Sequence, residues 1–148
     1  MQTKRDSYAL GHPSLAEDDV NANKFETNKA VDYVINGRCY TKAATANLGF
    51  SAGTALAAKQ TCAFFVMLDS AGNVTTTQSA IVPSSAGTSY RAGAWEWPDE
   101  AGKACIGAIV IRTDNAATFT PGTTDLGAAD VVDTYVIPGP DYGLPVAY

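Results

Sequence analysis

Along most of this chain, apolar and polar positions follow the two-residue period of a pleated strand. Val31, Tyr33 and Ile35 share one face, Asn36-Gly37 follows, and Arg38-Cys39-Tyr40-Thr41 resumes the run. Asn-Gly between two such runs predicts a tight hairpin, because a type I′ turn needs positive φ at both central residues. Residues 61–69 (Thr-Cys-Ala-Phe-Phe-Val-Met-Leu-Asp) are almost wholly apolar and bounded by turn residues. That suits a strand buried on both faces, although periodicity alone also admits a buried helical turn. Ser70-Ala71-Gly72-Asn73 then leads into Val74-Thr75-Thr76-Thr77-Gln78, whose β-branched side chains fit the pleat, and a second hairpin is expected. Residues 104–113 form the most apolar segment and predict a central strand; residues 131–137 predict the last one. Between them, residues 118–125 read as a short edge segment ending in a turn, and in the Ala-rich stretch 43–59 a strand is expected around residues 48–51. Short strands separated by Gly, Pro and Asn turns predict a mainly β fold, a single antiparallel β-sandwich or barrel-like domain over residues 29–137.

The two ends depart from this pattern. Residues 1–28 carry Lys4, Arg5, Asp6, Glu17, Asp18 and Asp19, few large apolar groups and no period of two. Ser14-Leu15-Ala16-Glu17 has capping-box spacing, and with Pro13 before it and acids in the first turn it predicts a short helix near 14–22. The segment reads as an arm that orders when laid on a partner, with Tyr8 and Leu10 as docking residues. Residues 138–148 contain three prolines and two glycines, which predicts an extended tail. Its Tyr142, Leu144, Val146 and Tyr148 exceed what a solvated tail needs, so they are docking candidates on another subunit; the tail folding back over its own domain stays open.

Composition narrows the function. At 148 residues the chain fits one domain that can fold without staples. Only 17% of residues are charged, below the ~25% of an ordinary domain, and Ala, Thr, Gly and Ser take their place. A weakly charged surface suits a protein partly covered by neighbours, and equally a thermally robust β-protein. The net charge of −5 and ten scattered Lys and Arg disfavour nucleic-acid binding and attraction to an acidic membrane. There is no apolar run long enough to span a bilayer as a helix and no signal-peptide pattern, so synthesis in a cytoplasm is expected. Cys39, Cys62 and Cys105 show no Cys-x-x-Cys spacing; burial as small hydrophobes and no disulfide framework are expected.

Candidate chemistry is sparse. The one histidine, His12, lies in the arm, a poor base for nucleophilic catalysis or for a zinc site with three dispersed cysteines. No nucleotide loop or calcium loop occurs, and no cofactor or metal is implied. Glu96, Asp99 and Glu100 flank Trp95 and Trp97. With Tyr90 these rings could form a sugar-binding platform, and paired carboxylates could serve a small hydrolase. A strand end entering a turn, with both tryptophans closing the core edge, explains the same residues.

Three stretches resemble a known family. They are Val34-Ile35-Asn36-Gly37-Arg38 with Tyr40 and Lys42-Ala43-Ala44-Thr45; Leu68-Asp69-Ser70-Ala71-Gly72-Asn73-Val74 after a strand from Phe65; and Trp97-Pro98, then Gly102-Lys103-Ala104-Cys105-Ile106-Gly107-Ala108-Ile109, then Phe119-Thr120-Pro121-Gly122-Thr123-Thr124-Asp125-Leu126. Their order resembles small structural proteins of tailed bacteriophages, of the head-decoration (cement) or head-fibre type, over residues 30–137. The resemblance implies a non-enzymatic virion protein on the capsid surface. It would be a homo-oligomer, with a trimer favoured, that binds the major capsid protein or other virion subunits. It transfers no site residue. A carbohydrate-binding module or phage adhesin and a carboxylate-dependent hydrolase are the rival classes.

Overall fold

The computed structural model describes residues 6–84 and 95–138. Within them the chain forms eleven strands and no helix: β1 (Tyr8–Ala9), β2 (Leu15–Glu17), β3 (Phe25–Thr27), β4 (Val31–Ile35), β5 (Arg38–Lys42), β6 (Thr45–Leu48), β7 (Gln60–Asp69), β8 (Val74–Gln78), β9 (Val82–Pro83), β10 (Lys103–Thr113) and β11 (Val131–Val136). They make three antiparallel sheets. The largest runs β11-β10-β7-β8, with β9 beside the start of β7; the smaller two run β1-β4-β5 and β2-β3-β6. The expected mainly β, sandwich-like fold is what forms, and it is not a closed barrel.

The large sheet exists because β7 and β10 are apolar at successive positions, so both their faces must be covered. On β7, Cys62, Phe64, Val66 and Leu68 face the main core, and Ala63, Phe65 and Met67 face the opposite side. On β10 the alternation changes phase. Ala104 and Ile106 enter the main core before the register shift between Cys105 and Gly107, and Ile109 and Ile111 enter it afterwards. A bulge adds one residue to one strand and so reverses the parity of everything beyond it. Without it, Ile109 and Ile111 would face away from the core that Ile106 enters. Gly107 fits here because a Cβ on it would lie 2.6 Å from Leu15 Cδ1 and 3.2 Å from the Val136 carbonyl.

Both hairpins form as expected. Asn36 and Gly37 adopt φ of 49° and 78°, as a type I′ turn requires. In the β7–β8 turn the Asp69 carboxylate accepts bonds from the Ala71 and Asn73 amides and from Asn73 Nδ2, all at 2.9 Å. The main core is bound by four phenylalanines: Phe50 lies 5.2 Å from Phe25, 5.1 Å from Phe64 and 6.1 Å from Phe119 between ring centroids. Leu56 and Phe119 exchange backbone bonds, so residues 118–125 hold the expected edge contact and turn.

The N-terminal segment differs from the expectation. Residues 8–27 are not an arm on a separate partner: β1 pairs with β4, β2 with β3, and β3 with β6. The helix near 14–22 is replaced by β2 and a turn. Ser14 sits at φ 56°, a left-handed conformation outside the range of a helix cap. Asp18 caps a turn, accepting bonds from the Val20 amide at 3.0 Å and the Asn21 amide at 2.8 Å. The few large apolar residues of this segment are anchors, since Phe25 is fully buried and Leu15 packs against the core. The strand expected at 48–51 forms three residues earlier as β6, where Thr45 and Leu48 find Thr27 and Phe25 as partners. Cys62 and Cys105 are buried as expected, but Cys39, on the edge strand β5, is exposed.

Replacing Gly107 with Ala should cost ~1–3 kcal/mol in urea unfolding, because Leu15 and the β11 backbone must give way. The double variant Gly107→Ala/Leu15→Ala should cost less than the sum of the single changes. Simple additivity would show that the close approach is not what makes glycine fit here.

Candidate functional site

The sequence candidates are dispersed by the fold. Trp95 and Trp97 lie half-buried on the second face of the large sheet, with Ala63, Phe65, Met67, Cys105, Ala108 and Val110 beneath them. Trp97 meets Phe65 at 5.2 Å between ring centroids, and Trp95 Nε1 donates to the Ala80 carbonyl at 3.0 Å. Glu100 ties this segment down: Thr77 donates its hydroxyl to the carboxylate, and Lys103 Nζ lies 3.0 Å away. The Thr77 hydroxyl, with help from Lys103, holds Glu100 below the usual carboxylate range despite partial burial. Glu96 and Asp99 are exposed. This is the core-edge arrangement; Tyr90, the third ring of the proposed platform, lies outside the described residues.

Tyr8 is half-buried in β1 opposite Val34, whereas Leu10 is 53% exposed. Tyr142, Leu144, Val146 and Tyr148 lie outside the described residues. His12 is exposed, and among the described residues no group of three or more His, Cys, Asp or Glu side chains is placed to hold a metal ion. Burial pushes the Cys62 thiol up to about 11, with a bond from Gln78 opposing the shift, so this sulfur is a poor nucleophile.

Two carboxylates act as fasteners. Asp18 is buried and also accepts the Asn47 amide at 2.5 Å, joining the β2–β3 turn to β6. Bonds from the Asn47 and Asn21 amides hold it below the ordinary aspartate value. Asp69 is lowered in the same way, chiefly by Asn73. Glu17 goes the other way. Partial burial and the neighbouring charges of Asp133 and Asp125 raise it, and burial with Asp133 and Glu17 nearby raises the Tyr135 phenol. This acidic seam joins β2 to β11, over 100 residues apart in the chain, and no local sequence pattern announces it.

The surface feature that stands out is a pair of open strand edges. Among the described residues, β5 pairs with β4 alone and β11 with β10 alone. The outer edge of β8 is taken up instead: Ser51 and Thr76 exchange amide-to-hydroxyl bonds at 2.9 and 3.0 Å, and Gln78 bridges to Thr54 at 2.7 and 2.8 Å. Val132 and Ile137, within and just after β11, are 37% and 54% exposed. No protein-family model, curated protein or solved structure matches this chain.

Glu17 and the fasteners predict opposite pH responses. A carboxyl raised by folding weakens the fold once pH exceeds its unfolded value of ~4.3, and the penalty fades on acidification. Glu17→Gln should therefore melt higher than the parent at pH 7 and match it at about pH 3. Asp18, Asp69 and Glu100 are lowered, so their contribution is complete above their unfolded values and is lost as pH falls through the folded ones. The parent should lose stability below about pH 4. Equal melting temperatures of parent and Glu17→Gln at pH 7 would refute the repulsive seam.

Proposed function

We propose that this chain is a non-enzymatic structural protein of a tailed-bacteriophage virion, one that decorates and stabilises the capsid as a homo-oligomer seated on the major capsid protein. The observation that carries this reading is the pair of strand edges that lack a neighbour among the described residues, on a weakly charged sandwich. Proteins that remain monomeric blunt or cover such edges; among the described residues the edge of β8 is covered, while those of β5 and β11 are open.

The resemblance over residues 30–137 supports the same reading through structural elements. Asn36-Gly37 is a hairpin turn, Asp69 to Asn73 another, the stretch around Ile106 the bulged central strand, and Thr120 to Asp125 a turn against the core. Of the carboxylates near the tryptophans, Glu100 also fits, since it is engaged in holding its own segment. The work such a protein does is interface area, and a standard interface buries ~1,600 Å².

Gold-labelled antibody raised against the purified protein should decorate the heads of source-phage particles at regular spacing in electron micrographs. Label confined to tails or fibres would replace this reading with an adhesin, and intact particles without label would overturn the exposed-virion assignment.

A further inference from the structure

We propose that copies of this chain join head to tail, the open edge of β5 in one copy pairing antiparallel with the open edge of β11 in the next to continue one sheet across the boundary. The inference rests on the reading of the protein as self-assembling and specifies the surfaces that do it.

The edges match in length. β5 has five residues and β11 six, against two in β1, three in β2 and four in β6. β6 is further disqualified by the left-handed Asn47, whose amide is held by Asp18. Among the described residues, β5 and β11 thus offer the runs of about five residues, roughly 17 Å, that a new ladder needs.

Their charges are opposite. β5 begins and ends with Arg38 and Lys42. β11 carries Asp133 at its centre, with Asp130 immediately before the strand, and Glu17 lies near both Asp133 and Asp125. The one cation on the adjoining stretch of β10, Arg112, is engaged by Asp114 at 2.9 and 3.1 Å. Two β5 edges would repel, as would two β11 edges, while the unlike pair attracts. A contact between two different patches is heterologous, so it builds a ring when the rotation closes.

Backbone direction selects the register. The Leu10 amide bonds the Asp32 carbonyl opposite it, so Val31, Tyr33 and Ile35 turn to β5, Arg38, Tyr40 and Lys42 turn back to β4, and Cys39 and Thr41 turn their amides and carbonyls outward. The Asp114 amide bonds the Asp130 carbonyl opposite it, so Val132, Thr134 and Val136 turn to β10 while Val131, Asp133 and Tyr135 face outward. With Cys39 opposite Asp133 and Thr41 opposite Val131, outward groups meet outward groups and Lys42 lies opposite Asp130.

Cys39 makes the register testable, because the other two thiols are buried. Asp133→Cys in the full chain, mildly oxidised, should give disulfide-linked dimers and higher species on non-reducing gels. Adding Cys39→Ser should abolish them, and Thr123→Cys, also exposed but away from both edges, should not form them. In sedimentation, Lys42→Glu should weaken assembly by roughly tenfold or more, and Asp130→Lys in that background should restore it. An oligomer that neither cross-links Cys39 to residue 133 nor responds to charge reversal would overturn the strand pairing and leave self-assembly standing. A parent that sediments as a monomer at every concentration would overturn both.

Discussion

The ladder between β7 and β10 is the constraint on which the rest depends. Each strand is apolar on both faces, so the pair is stable only if protein covers it twice. On one side the cover is the two small sheets and the ring cluster around Phe50; on the other, the described residues Trp95 and Trp97 lie against Phe65 and its neighbours. The outer strands β8 and β11 need only one buried face and so alternate, which is why Thr, Gln and Asp appear there and not at the centre. Burial of this kind, about 25 cal/mol per Å² of apolar surface, dominates over half-buried surface ion pairs such as Glu100–Lys103 and Arg112–Asp114.

What could be read in advance divides by range. Asn36-Gly37, the run at 61–69 and the run at 104–113 state their structure locally, through turn chemistry and unbroken apolarity, and all three form. The N-terminal segment was misleading because Ser14 to Asp19 satisfies a helix-start pattern whose acids serve a different purpose. Asp18 bonds amides two and three residues on, as a helix cap would, but it closes a turn, and its second oxygen reaches Asn47. Only the position of β6 distinguishes the two outcomes. The bulge at Ile106 was hidden by the same uniform apolarity that marked the strand, since parity cannot be followed where every position is apolar.

The candidate surface was less legible still. That β5 and β11 are edges follows from sheet order, which depends on pairings between residues far apart in sequence. The charges of β5 are visible in the sequence, but their counterpart on β11 gathers Glu17, Asp125 and Asp133 from three separate segments. Tryptophans beside carboxylates drew attention as a binding motif, and the fold uses Trp95 and Glu100 to secure a crossing segment instead.

The wedge of Leu15 against Gly107 also bears on how the chain acquires its shape. The first strands synthesised rest on the last: Leu15 meets β10, β2 faces β11 across the acidic seam, and Ala22 accepts the Leu126 amide at 2.8 Å. A nascent chain emerging from the ribosome can close the β4–β5 and β7–β8 hairpins early and bring Phe50 to Phe25, but Leu15 lacks its place against Gly107 until residues beyond 100 have left the exit tunnel. Long-range pairing of this kind slows folding and leaves apolar surface uncovered meanwhile.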